Sequence, residues 1–113
     1  MKNTLQPERC AVLLRALAEP MRLRIIHTLF GGPACVTDLA NKLAVHIQDV
    51  SHHLAVLLQG GIVAREKQGR YVVYQLAPEV CPALRSEGGS ERLDLGCCSL
   101  VWPPRGHPAT EVG

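Results

Sequence analysis

The stretch VTDLANKLAVHIQDVSHHLAVLLQGG, residues 36–61, decides the fold. Val36, Leu39, Ala40 and Leu43 recur at i, i+3, i+4 and i+7, the spacing that lines one face of an α-helix. Thr37 or Asp38 is available to cap its start. Only residues 44–46 separate it from a second periodic run, in which Ile47, Val50, Leu54, Leu57 and Leu58 share one side before Gly60-Gly61 closes the helix. Two short helices on a tight turn, the second with a polar outer face, are what a helix-turn-helix requires.

Downstream, the period changes from helical to alternating. Residues 62–67 and 70–76 read as two strands around Gln68-Gly69, a hairpin that would form a wing beside the second helix. Upstream, Pro7 opens a helix with Cys10, Leu13, Leu14 and Leu17 on its apolar stripe. A second helix starts at Pro20, carries Met21, Ile25, Ile26, Leu29 and Phe30, and ends at Gly31-Gly32-Pro33. Beyond Pro78 a short last helix is expected, interrupted by Pro82, and Gly88-Gly89-Ser90 reads as a joint. The predicted fold is mainly α with a small β-hairpin, a winged helix-turn-helix in the order α-α-α-α-β-β-α. Residues 1–88 would form the DNA-binding and dimerisation domain, and residues 89–113 a cysteine-containing tail with too little periodicity to build a core.

A chain of 113 residues, 47% of them hydrophobic and only 4% aromatic, suits one domain with an aliphatic core. No apolar run approaches the roughly 20 residues of a membrane span, and the N-terminus leads into no signal-peptide core, so a cytoplasmic protein with no membrane partner is expected. The net charge of +2 permits nucleic-acid binding without establishing it. Five cysteines, an odd number, argue against a disulfide framework and for reduced thiols.

On the second helix of the motif, Gln48, His52, Ala55 and Gln59 lie opposite the apolar stripe, with Asp49 beside them and Ser51 and His53 at its margins. Gln48, Asp49 and His52 are the candidate base readers, and Ser51 and His53 can reach bases or phosphates. Arg65, Lys67 and Arg70 gather a basic cluster on the wing, suited to the DNA backbone. The competing reading of each is an ordinary solvated surface residue; the clustering of recognition helix and basic wing favours double-stranded operator DNA as partner.

Residues 17–26 (LAEPMRLRII), 35–40 (CVTDLA), 50–54 (VSHHL) and 69–76 (GRYVVYQL) together resemble the ArsR/SmtB winged-helix regulators. This resemblance runs from about Leu13 to Leu76. It implies a homodimer built on the first and last helices, binding inverted half-sites and leaving them when an effector binds. The chain departs from the family at His46-Ile47, where Ser-Gln is usual. It departs again at residues 33–39, PACVTDL, where the family's metal box Glu-Leu-Cys-Val-Cys-Asp-Leu keeps its first cysteine as Cys35 and has its second replaced by Thr37.

A metalloid must then find thiolates elsewhere, and Cys97-Cys98 offers an adjacent pair able to converge on one soft ion. Family members with tail cysteine pairs used this way strengthen that expectation. Trivalent arsenic or antimony accepts three thiolates, so the pair needs a partner: Cys35 first, with Cys10 or Cys81 next. Cys10, on the apolar stripe, reads as a packed residue. His27 likewise reads as packed, His107 as isolated, and no zinc set stands between Pro78 and Glu91. No resident cofactor is required; the effector would be As(III), Sb(III) or another thiophilic metal ion.

The alternative within regulation is a thiol redox or persulfide sensor of the same fold. A thiol enzyme would need Cys-x-x-Cys after a strand with βαβ support, and neither is present, so no enzyme is expected.

Overall fold

The computed structural model describes residues 6–80 and 91–103. Helix α1 spans Pro7–Leu17 and α2 spans Pro20–Leu29. Both place proline in the first turn, where its missing N–H costs nothing. Glu19 caps α2: its carboxylate accepts from the backbone N–H of Met21 at 2.7 Å and of Arg22 at 3.2 Å. Helix α3, Val36–Leu43, starts from Cys35 in extended conformation with no side-chain cap, so neither Thr37 nor Asp38 takes the capping role expected. Asp38 instead sits in the first turn, where a negative charge meets the positive end of the helix.

Helix α4, Ile47–Gln59, follows after a turn made at Ala44, whose φ of 58° is left-handed. Its N–H reaches back to the carbonyls of Ala40 and Asn41. A Cβ in this region costs about 1–2 kcal/mol. Ala44→Gly is therefore expected to raise stability by up to about 1 kcal/mol, after the entropy that glycine adds to the unfolded chain. Chemical denaturation checks this; a lower midpoint for the glycine variant would contradict it.

The wing pairs β1, Val63–Gln68, with β2, Tyr71–Leu76, antiparallel from Val63↔Leu76 to Gln68↔Tyr71. Its two-residue turn is Gly69-Arg70, one position later than the Gln68-Gly69 expected. Gly69, at φ 65°, takes the first turn position, where the favoured hairpin turns need a positive φ. Ala34 adds a bridge to Tyr74, N–H to carbonyl in both directions at 3.0 and 2.8 Å, which fastens the α2–α3 link to the wing.

The core is aliphatic: Leu13, Ile25, Ile26, Leu39, Leu54, Leu57 and Ile62 are fully buried, and no polar side chain is buried with them among the described residues. No described helix is long and apolar enough to cross a membrane.

The tail departs from expectation. The predicted last helix falls mainly on residues 81–90, outside the described residues. After them, β3, Glu91–Asp94, and β4, Ser99–Trp102, form an antiparallel hairpin. Leu93 is fully buried and Leu95 nearly so, both within the main core, which corrects the reading of this tail as coreless. The Asp94 N–H donates to the Val80 carbonyl at 2.7 Å. Trp102 packs edge-on against Phe30 at 5.4 Å between ring centroids and stacks on His27 at 6.2 Å. His27 also meets the Glu91 carboxylate at 3.3 Å, so the second helix carries the hairpin.

Candidate nucleic-acid interface and thiol cluster

Helix α4 buries Val50, Leu54 and Leu57 and turns Gln48, Asp49, Ser51 and His52 to solvent. These four share the outer side and N-terminal half of the helix, the part that enters a major groove in helix-turn-helix proteins. Arg65 and Lys67 lie two apart on β1, hence on one face, and Arg70 occupies the wing turn; all three are exposed.

His53 does not join them. It lies on the inner side of α4, half-buried, with Nδ1 3.1 Å from Arg22 Nη1 and Nε2 3.8 Å from Glu19 Oε1. Arg22 in turn donates from Nε to the Ala16 carbonyl at the end of α1, at 2.6 Å. His53 is thus a strut between α4 and the α1–α2 corner. Partial burial pushes the Glu19 carboxyl up, but the backbone N–H groups of Arg22 and Met21, with the neighbouring His53 ring and the Arg22 guanidinium, outweigh it and hold the group below its ordinary range. A carboxylate that stays ionised keeps the strut anchored.

Ile47 is a second departure. It falls in period with Leu54 and Leu58, yet it is 51% exposed at the first position of α4, ahead of Val50, where burial in the core begins.

The sulfurs of Cys10, Cys97 and Cys98 lie within 4.8 Å of one another. Cys10 comes from the buried side of α1, and the pair from the turn joining β3 to β4. Cys10 and Cys97 are joined as a disulfide that links residues 87 apart, contrary to the expectation of thiols only; Cys98 is an exposed free thiol. Cys35, the expected third partner, is not in this group. It is held at the N-cap of α3, next to the bridge at Ala34, and keeps a half-buried free thiol. Cys81 lies outside the described residues, as does His107. The hairpin explains the change of partner, since docking Leu93 and Leu95 into the core carries the turn to α1.

The helix-turn-helix domain family matches residues 17–66. The chain is 42% identical to the HTH-type transcriptional regulator NmtR of Mycobacterium tuberculosis over 88 residues, 76% of this chain and 73% of that one. It is 38% identical to the arsenical resistance operon repressor of Escherichia coli over 69 residues, 60% of this chain and 59% of that one. Among solved structures it resembles the homodimeric winged helix-turn-helix DNA-binding domain of a "possible ArsR-family transcriptional regulator" from Mycobacterium bovis. That match has a TM-score of 0.61 and 29% identity, covering 64% of this chain and 67% of that one. With four helices, a wing and these relatives in agreement, the chain belongs to the ArsR/SmtB family of winged-helix transcriptional repressors.

Proposed function

We propose that the chain is a homodimeric repressor that holds operator DNA through α4 and the wing. It leaves the DNA when trivalent arsenic or antimony, or another thiophilic metal ion, gathers Cys10, Cys97 and Cys98. The convergence of those three sulfurs carries this reading. The donor set fits: three thiolates, with no oxygen or imidazole in the group among the described residues, suit a soft ion, whereas structural zinc takes four ligands. An arsenical resistance repressor among the relatives supports the same choice.

Binding first needs the Cys10–Cys97 bond reduced, which a thiol reductant does by taking that bond into its own disulfide and leaving two thiols. The residues then act by position. Cys10 and the pair draw α1 and the hairpin together. From α1 the Ala16 carbonyl holds Arg22, which holds His53 on α4. An effector that binds the free arrangement more tightly than the DNA-bound one shifts the equilibrium by that difference and no more. In the test, reduced protein on DNA from upstream of its own coding sequence is titrated with arsenite, antimonite, cadmium, mercury and zinc. Arsenite and antimonite should release it at the lowest concentrations; release by zinc first would defeat the proposal.

On the DNA side, Arg70→Ala should weaken binding to all sequences alike, because a phosphate contact carries no sequence information. Gln48→Ala should blur discrimination at one base position, by about 1–3 kcal/mol for a lost bidentate contact. Competition between specific and random duplexes reads both effects. Equal behaviour of the two variants would remove Gln48 from the reading face.

The Cys10–Cys97 disulfide favours a second reading, a thiol redox sensor. There hydrogen peroxide would take two electrons and two protons from the Cys10 and Cys97 thiols, forming the S–S bond and two waters. Release by peroxide with indifference to arsenite would select it.

A further inference from the structure

We infer that Ile47 is a specificity residue of this repressor and reads the C5-methyl group of a thymine in the major groove; this rests on α4 being the recognition helix. Ile47 is the first residue of α4, at the end of the helix that enters a groove. A lone exposed isoleucine is ordinary on a protein surface. This one stands one helical turn before Ser51 on the same side, with exposed Gln48 next to it. It is thus an apolar, β-branched patch continuous with a row of hydrogen-bonding side chains. His46, which precedes it, makes no capping bond with the first turn of the helix.

The major groove offers one apolar group among its base-edge donors and acceptors, the thymine methyl, and aliphatic or aromatic side chains are what it takes. Gln48 and Ser51 can exchange hydrogen bonds with base edges; Ile47 can do neither, so on docking it either meets a methyl or is desolvated against polar edges. The first outcome is favourable and sequence-dependent. Removing a buried methyl is worth about fourfold in affinity for each half-site that carries it.

The test uses chemistry that changes only that group. Reduced wild-type protein and its Ile47→Ala and Ile47→Val variants select binding sites from random duplexes built with thymidine, and again from duplexes built with deoxyuridine. Wild type and Ile47→Val are expected to enrich thymine at one position of each half-site, and to lose that preference with deoxyuridine. Ile47→Ala should bind stably while showing no such preference in either pool. A wild-type preference that survives deoxyuridine, or one retained by Ile47→Ala, overturns the role of Ile47 and leaves the recognition helix standing. Failure of the wild type to enrich any sequence overturns both. Because Ile47 is exposed, unchanged thermal unfolding of the alanine variant verifies that the readout concerns recognition rather than folding.

Discussion

With Cys97 and Cys98 both replaced by serine, reduced protein is expected to bind operator as the wild type does and to remain on it when arsenite is added. The pair sits in the turn of the β3–β4 hairpin, with Cys97 half-buried at the edge of the core and Cys98 exposed. Serine is close in size, so the fold should persist. The metalloid would keep Cys10 alone of the three sulfurs. Losing two of three soft ligands should raise the arsenite concentration for half-release by about a hundredfold or more, since each 1.4 kcal/mol is tenfold in affinity. Cys35→Ser, by contrast, should respond as the wild type, because Cys35 lies outside the group. Fluorescence anisotropy of labelled operator gives both numbers. A double variant released at the wild-type concentration would show that the sensor lies elsewhere.

Leu93→Ala should destabilise the protein by about 2–5 kcal/mol, a large share of the 5–15 kcal/mol that holds a typical domain. Leu93 is fully buried and belongs to the same core as the helices, although it lies past the wing. Val101, on β4 and 59% exposed, supplies the control: its change to alanine should cost about 0.5 kcal/mol or less. Both are measured by denaturation under reducing conditions, so that the Cys10–Cys97 cross-link does not mask the difference. Equal stability of the two variants would mean that the hairpin is a passive appendage. The lone tryptophan, Trp102, stacked on His27 and edge-on to Phe30, reports fluorometrically on whether the hairpin leaves α2 before the rest unfolds.

The four helices and the wing are legible in the chain because each repeats its apolar residues over two or more turns or strand pairs. Features resting on a single residue or a pair are not. Ile47 obeys the period of α4 and is still exposed, since periodicity records direction around a helix and not where the core stops. The β3 alternation lasts four residues, too short to stand out, and its value depends on where Leu93 docks. Arg22 and His53 meet across 31 positions, and polar contacts of that kind leave no repeat to detect. Gln48, Asp49 and His52 could be placed on an outer face from angle alone, whereas of the two residues at its margins Ser51 is exposed and His53 turned inward. Cys10 is the instructive case: a cysteine that only packs and one bonded to a distant cysteine, as Cys10 is to Cys97, occupy the same position on an apolar stripe. Only the return of the hairpin to α1 distinguishes them.

The central claim, that an effector acts by drawing together Cys10, Cys97 and Cys98, is tested most directly by residue-resolved alkylation of the five cysteines in reduced protein, with DNA occupancy followed in the same samples. As arsenite is raised, Cys10, Cys97 and Cys98 should become protected together, over the concentration range in which the operator is released, with Cys35 and Cys81 unchanged. Release of DNA while Cys97 and Cys98 remain fully reactive, or with protection confined to Cys35 and Cys81, would contradict it.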